Sequence, residues 1–283
     1  MVNRDVRVRV LARVSLDAAI AQVRANERAA RAGGDPEATH QLRVGVRRLR
    51  VVLRLFEAQV GAVAARKLIP DLKWVFTKLG VVRDHDVLIE TAAAAPLGEG
   101  ASALRAALIH ERDKAARAAA RVLKTKRYAE LVRALRRLSL GLSGHDAPSP
   151  RARKWLRKRL DKRLARVLAR EAALYAEDEA ALHDLRKELK KLRYTADLTR
   201  GLWSDKRTAR YLKRLSRLQD VLGPVNDATV GRHLLEGLGE HLDASAAEAA
   251  AALTATLAER VERKQRDLPR AFAKLADIEP YWQ

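Results

Sequence analysis

Apolar residues recur along most of this chain at intervals of three and four positions, which is the spacing of one face of an α-helix. Ala, Leu and Val supply most of them, and no alternating strand pattern stands out beyond the first ten residues. The spacing predicts an all-α fold. Its predicted helices are 8–31, 36–59, 63–79, 84–94, 100–124 and 127–140, then 151–176, 179–200, 206–222, 227–238, 243–264 and 266–277.

One tract of this pattern occurs twice. HQLRVGVRRLR begins at His40, and HDLRKELKKLR begins at His183, 143 residues later. The same offset aligns a second motif, LGVVRDHDV at Leu79 with LGPVNDATV at Leu222. Two motifs repeated in register predict an internal duplication with about six helices in each copy. The predicted repeats are residues 1–143 and 144–283, which meet in the Gly-, Ser- and Pro-rich segment 141–150.

Helical geometry divides the first tract into two stripes. Asp35 and Pro36 read as an N-cap followed by proline at the first helical position, which places the tract on a helix of about 36–59. At about 100° per residue, its polar stripe lies within an arc of about 80°. The polar stripe consists of His40, Arg43, Arg47, Arg50 and Arg54. A separate apolar stripe, expected to face a core, consists of Leu42, Val46, Leu49 and Leu53.

The second tract repeats this division on a helix of about 179–200. Its polar stripe consists of His183, Arg186, Lys190 and Arg193, with Lys187 at the edge. Its apolar stripe consists of Leu185, Leu189 and Leu192. Asp197 stands where the first copy has Arg54, so the second polar stripe is shorter.

The charge of the stripes is unusual for a solvated helix face, which is the alternative interpretation. No carboxylate lies between His40 and Arg54, so the first stripe lacks the opposite-charge pairs that usually accompany exposed Lys and Arg. In the whole chain 57 Lys and Arg outnumber 35 Asp and Glu, giving a net charge of +22. Such an excess is typical of proteins that bind polyanions or anionic membranes.

Other features narrow the class of protein. The chain contains no Cys, which excludes disulfides and Cys-ligated metals. No stretch approaches the roughly 18 uncharged apolar residues that a membrane-spanning helix needs. We therefore expect a soluble cytoplasmic protein without a membrane span.

The second repeated motif is compatible with a purely structural role. Gly80 and Gly223 suit the left-handed residue that ends many helices, while Asp84 and Asp227 suit the N-cap of a following helix. This interpretation predicts a helix break in each copy.

A metal site is the alternative interpretation of the same motif. Asp84, His85, Asp86 and Asp227 are residue types that bind divalent ions. The second copy, however, has Ala and Thr where the first has His85 and Asp86. We therefore predict neither a metal site nor a cofactor.

Taken together, the two motifs resemble the CHAD family, named for a conserved histidine α-helical domain. The resemblance extends over nearly the whole chain, from about residue 5 to about residue 278. It implies two helical bundles related by a pseudo-twofold axis, which bind inorganic polyphosphate and are located at polyphosphate granules. Carried over to this sequence, the binding residues would be His40, Arg43, Arg47, Arg50, His183, Arg186, Lys190 and Arg193, with Arg54 and Lys187 extending the two stripes.

Two other functions remain as alternatives to polyphosphate binding. A basic helix can neutralise any phosphate backbone, including that of a nucleic acid or another polyanion. Aromatic residues are only 4% of the chain, and neither stripe interleaves one among its cations, whereas single-strand binders usually add stacking surfaces. A metal-dependent phosphatase or phosphotransferase would need carboxylates beside the histidines, and the stripes contain none. The sequence therefore predicts a binding protein and no enzyme.

Overall fold

The computed structural model describes residues 6–33, 35–142, 149–175, 178–203 and 205–283. Helices make up most of these ranges, which contain no β-strand; Arg7 and Arg151 form an isolated antiparallel bridge. The predicted all-α fold is confirmed. None of the described helices is both long enough and apolar enough to cross a membrane.

The helices occur in the predicted order. The first series is α1 (Val8–Ala32), α2 (Pro36–Leu55), α3 (Glu57–Val60), α4 (Ala62–Ala94), α5 (Ala101–Leu123) and α6 (Lys126–Gly141). The second series is α7 (Ala152–Leu168), α8 (Glu179–Thr199), α9 (Asp205–Glu236), α10 (Ala244–Gln265) and α11 (Leu268–Ala276). Two predicted pairs, however, form single helices, α4 and α9, and α7 ends at Leu168 instead of at the predicted 176.

Both tract helices begin as the sequence predicts. The Asp35 side chain accepts hydrogen bonds from the backbone N–H groups two and three residues later, at 2.8 and 3.1 Å, and Pro36 is the first residue of α2. Asp178 caps α8 by accepting from the N–H group two residues later at 2.8 Å. Each cap satisfies donors that a helix terminus otherwise leaves unpaired. α2 ends before 59, because Phe56 leaves the helical conformation and its buried ring stacks on Trp155 of α7, with 5.6 Å between centroids.

The helix breaks predicted at Gly80 and Gly223 are wrong. α4 and α9 run through both motifs without interruption, and α9 also contains the buried Pro224. Neither glycine has the positive φ of a left-handed C-cap. Packing overrides the local capping signals, because the motif and its flanks in α4 bury Leu79, Val82 and Leu88.

The helices of the two series share the offset of the repeated tracts. α2 and α8 begin 143 residues apart, as do α4 and α9, and α5 and α10. Because the predicted breaks are absent, each described series has five helices longer than a single turn instead of about six. A common offset is what an internal duplication produces, and the duplication and its pseudo-twofold axis stay predictions. The proposed boundary between 143 and 144 lies outside the described residues.

Two hydrophobic clusters hold the helices together, and each contains residues from both series. The larger cluster includes both apolar stripes, of which Leu42, Val46, Leu49, Leu53, Leu185, Leu189 and Leu192 are buried. The smaller cluster joins the C-terminal ends of α4 and α9 to α5 and α10. The apolar faces of α2 and α8 are thus fixed in one core, which determines the direction of their polar faces.

Candidate anion-binding site

The two polar stripes meet where α2 packs against α8. The guanidinium carbon of Arg47 lies 4.6 Å from the ring centroid of Tyr194, which follows Lys190 by one helical turn. Arg43 and Arg186 complete the contact, since they and Arg47 all act on the pKa of Lys190. We call Arg43, Arg47, Arg186 and Lys190 the central cluster.

Burial makes the central cluster electrostatically unfavourable when it holds no anion. All four side chains are half-buried. Burial, followed by the charges of Arg186, Arg43 and Arg47, lowers the pKa of Lys190 from 10.5 to about 8. Arg47 and Lys190 form no hydrogen bond or ion pair with any described residue. An anionic ligand would reverse this repulsion, because charge-assisted hydrogen bonds to phosphate favour the protonated forms.

The repeated glycine motif lies directly beneath two of these arginines. Arg186 donates from Nη1 to the backbone carbonyl oxygen of Leu222 at 2.7 Å, next to Gly223. A Cβ atom added to Gly80 would lie 3.7 Å from Nε of Arg43, so this arginine lies over the equivalent point of α4. The motif therefore supports the arginines instead of ending the helices.

Two carboxyl groups lie beneath the same arginines, where α4 packs against α9. Burial raises the pKa of Asp84, and Arg43 opposes this effect. Burial also raises the pKa of Asp227, and Arg186 is the main opposing charge. The two carboxyls, on α4 and α9, therefore attract Arg43 and Arg186. The positive charges of Arg47 and Lys190 are the least compensated in the cluster.

The first stripe continues along α2 beyond the central cluster. Phe76 of α4 supports it, with its ring centroid 4.3 Å from the guanidinium carbon of Arg43 and 4.9 Å from that of Arg50. Arg54, in the last turn of α2, is exposed. Arg43, Arg50 and Arg54 thus form a row along α2 toward its C-terminal end.

The second stripe is brought into the site only in part. Arg193 donates to the side-chain oxygen of Gln219 at 2.7 Å and lies 3.4 Å from the carboxylate of Asp197. Lys187 is exposed and pairs with Asp184 at 2.5 Å. Both cations are engaged by neighbouring side chains, whereas Arg186 and Lys190 belong to the central cluster.

The two histidines occupy different environments. His40 is half-buried, and burial, followed by the charge of Arg83, lowers its pKa below the ordinary value of 6.5. Arg47 and Arg43 act in the same direction, which places His40 beside the central cluster. His183 is exposed at the start of α8. The structure therefore associates one of the two predicted histidines with the cluster.

Buried nitrogen atoms without a partner are concentrated in the stripes. Of the six such nitrogens among the described residues, four belong to the stripes, namely Nδ1 of His40 and the Nε atoms of Arg43, Arg50 and Arg186; the other two are Nε of Arg31 and Nη2 of Arg112. An unpaired buried donor costs about 1–3 kcal/mol, and most buried polar atoms in folded proteins are satisfied. This concentration on two facing helices is typical of a site whose ligand supplies the missing acceptors.

Of the residues considered as alternative metal ligands, His85 and Asp86 are bound to other groups, whereas Asp84 and Asp227 lie beneath the arginines. Nδ1 of His85 is hydrogen-bonded to the carbonyl oxygen of Val81 at 2.8 Å. Asp86 is buried and accepts from Nε of Arg112 at 3.0 Å. Among the ranges that the structure describes, no group of three or more His, Cys, Asp or Glu side chains is placed to hold a metal ion.

Sequence reasoning overlooked the aromatic rings of the site. Tyr194 follows Lys190 by four residues, so helical spacing alone could have placed it beside the second stripe. Phe76 comes from α4, and no pattern within α2 indicates it. The stripes contain no aromatic residue of their own, but the fold places both rings against arginines of the first stripe.

The chain matches a known protein family over most of its length. The family model of the CHAD domain matches residues 14–236. The chain belongs to the CHAD family. Both repeated motifs lie within the matched CHAD region, as do α2, α8 and the whole central cluster.

Solved structures show the same CHAD fold. The crystal structure of the CHAD domain from the plant Ricinus communis is 30% identical over 98% of this chain and 94% of that chain, with a TM-score of 0.86. PptA from Streptomyces chartreusis shares 20% identity over 95% of this chain and 100% of that chain, with a TM-score of 0.67, which shows a similar fold. No curated protein sequence matches this chain.

Proposed function

We propose that this CHAD protein binds inorganic polyphosphate and that the central cluster makes the main contact. The observation that carries the proposal is the meeting of two basic helix faces whose buried nitrogens lack acceptors. The CHAD resemblance implies the same ligand. Arg54 and His40 extend the contact along α2, while Arg193, Lys187 and His183 belong to its periphery.

The chemistry of polyphosphate suits this arrangement. The polymer carries a charge on each unit of a flexible chain and has no bases, so it requires closely spaced cations and no stacking surface. Arginine supplies paired hydrogen bonds and lysine a compact charge. The rings of Phe76 and Tyr194 already lie against guanidinium groups. This occupation favours polyphosphate over a nucleic acid, which would use open rings for stacking.

We propose further that the site binds polyphosphate without hydrolysing it or transferring its phosphate groups. We also propose that the protein is located at polyphosphate granules. Asp84 and Asp227, the carboxyls nearest the cluster, interact with Arg43 and Arg186. They therefore serve to position cations. Granule association would follow from affinity for the polymer itself.

A pair of variants with equal loss of charge tests the binding proposal. Arg47→Ala with Lys190→Ala removes the two least compensated cations. Arg133→Ala with Arg136→Ala removes two exposed cations of α6 that have no partner among the described residues. Calorimetric titration of the whole chain with long-chain polyphosphate should show at least about a 10-fold loss of affinity, or ~1.4 kcal/mol, for the first pair only.

Three outcomes would overturn parts of the proposal. Equal losses for both pairs would mean that net charge, and not the cluster, determines binding. Displacement of polyphosphate by a single-stranded oligonucleotide at equal phosphate concentration would favour a nucleic-acid ligand. Release of inorganic phosphate during incubation, absent with Arg47→Ala and Lys190→Ala, would contradict binding without turnover.

A further inference from the structure

A second row of cations lies on α7, outside the two repeated stripes. Helical spacing places Arg159, Arg163 and Arg166 within an arc of about 60°, and Arg170 follows just after the end of the helix. The one acidic residue of α7, Asp161, accepts a hydrogen bond from the indole nitrogen of Trp282 at 2.7 Å. The helix therefore offers this row no carboxylate of its own.

The C-terminal end of α2 contacts α7 through the stacked rings of Phe56 and Trp155, which brings the α7 row close to Arg54. Burial lowers the pKa of Arg163; the charge of Glu188 opposes this effect, while the charges of Arg166, Arg159 and Arg54 act in the same direction as burial. Arg54 is the last cation of the α2 stripe, so the positive path from the central cluster continues from α2 to α7. From Arg43 to Arg54 the path extends about 16 Å at the rise of an α-helix.

One carboxylate faces this junction from α8. Burial would raise the pKa of Glu188, but the hydrogen bond from Lys191, followed by the charges of Arg170 and Arg166, lowers it below the ordinary value. Lys191 donates to this carboxylate at 2.5 Å. A single carboxylate cannot neutralise the arginine row together with Lys191 and Arg54.

Arg163, the middle cation of the α7 row, has no direct partner among the described residues. Arg163 is half-buried and forms no hydrogen bond or ion pair with any described residue. Arg159 is held over the ring of Trp155, with its guanidinium carbon 3.4 Å from the centroid. Burial and the neighbouring like charges outweigh the favourable charge of Glu188 at Arg163, so an anion bound beside it would be stabilising.

We propose that the arginine row of α7 is a second anion subsite, continuous with the central cluster through Arg54. This inference rests on the proposed function, which it extends to the length of the polymer. The central cluster and the first part of the α2 stripe hold a short chain. The α7 row contacts only polymers long enough to pass Arg54, and it therefore gives the protein a preference for long-chain polyphosphate.

The test compares two double variants of α7 with equal charge. Arg163→Gln with Arg166→Gln removes cations from the row. Lys154→Gln with Lys158→Gln removes two exposed cations from another face of the same helix. Each variant and the wild type are titrated with tripolyphosphate and with long-chain polyphosphate, and thermal unfolding verifies the fold. Arg166→Gln alone, at an exposed position, provides a variant that does not disturb packing.

The row variant should bind tripolyphosphate as the wild type does and lose about 10-fold in affinity for the long chain, with a salt slope smaller by about 2. Arg166→Gln should lower the slope by about 1. Equal losses for both ligands, or equal losses in the row and control variants, would overturn the second subsite. Wild-type protein that binds neither ligand would overturn the proposed function as well, so the two failures are distinguishable.

Discussion

The guanidinium of Arg47 lies against the ring of Tyr194, 4.6 Å from its centroid, and this contact joins α2 to α8. It holds a cation with no carboxylate partner at the centre of the site. A ring can attract a cation without neutralising it, so Arg47 keeps its full charge for a ligand.

Without the ring, Arg47 would lose the contact that holds it in position, so polyphosphate binding should weaken although no charge is removed. Tyr194→Leu should reduce affinity for long-chain polyphosphate about two- to fivefold, because a partly exposed cation–π contact contributes about 0.5–1 kcal/mol. Tyr194→Phe keeps the ring and should bind like the wild type. Calorimetric titration measures both. A Phe variant as weak as the Leu variant would show that the hydroxyl, and not the ring, matters.

Salt should weaken binding steeply. With six to ten phosphates contacted, affinity should fall by about 10³ to 10⁵ between about 50 and 200 mM salt, a range taken from duplex DNA. Losing Arg47 and Lys190 should reduce the slope of log affinity against log salt by about 2. Fluorescence titration over a salt series measures the slope. A slope close to zero would indicate that the cations have a structural role only.

Lys190 should lower the stability of the ligand-free protein at neutral pH. Its pKa is about 8 in the fold and 10.5 ordinarily, so the unfolded chain binds more protons between these values. Stability should therefore rise with pH from about 8 to about 10.5. Lys190→Met should raise Tm at pH 7 by about 2 °C or more and lose this advantage near pH 10.5. Lys190→Arg should remain destabilising at both pH values, because arginine stays protonated. Differential scanning calorimetry of the wild type and the two variants measures these differences in Tm.

Replacing His40 should change the pH dependence of polyphosphate binding, whereas replacing His183 should not. A bound anion should raise the pKa of His40 from its lowered value, so polyphosphate affinity should increase as pH falls from about 7 to 5. His40→Gln should abolish this gain, while His183→Gln should preserve it because His183 is exposed outside the cluster. Long chains are required for the titration, since the terminal phosphates also titrate in this range. Identical pH profiles for the two variants would remove His40 from the site.

Two glycines should respond in opposite directions to substitution by alanine. A Cβ at Gly45 would lie 2.9 Å from a methyl group of Val23 and 3.1 Å from its backbone nitrogen, where α1 and α2 approach closely. A Cβ at Gly80 would meet only the Arg43 side chain, at 3.7 Å. Gly80→Ala should stabilise α4 by about 0.5–1 kcal/mol through helix propensity, and Gly45→Ala should destabilise the fold by about 1–3 kcal/mol. Urea unfolding measures both. A stabilising Gly45→Ala would contradict the close approach.

The repeated tracts show which features of a helix its own sequence predicts. The spacing of Leu42, Val46 and Leu49 against Arg43, Arg47 and Arg50 determined which face of α2 is buried, and the Asp35 cap determined where the helix begins. These features depend on the 3.6-residue period and on local hydrogen bonds, which a sequence displays directly. The second motif was different. Gly80 and Gly223 carried the signals of a helix end, but packing of the residues around them kept α4 and α9 continuous.

By itself, the sequence determined the all-α fold, the repeated tracts, the two stripes and their excess of positive charge. Tertiary structure decided which members of the stripes meet. It placed Arg47 against Tyr194 and turned Arg193 toward Gln219, although both arginines occupy equivalent arcs on their helices. It also placed Phe76 of α4 against Arg43 and brought Arg54 near Arg163 of α7. Periodicity specifies the face of a helix on which a side chain lies, but its neighbours across that face are set by how separate helices pack into a common core.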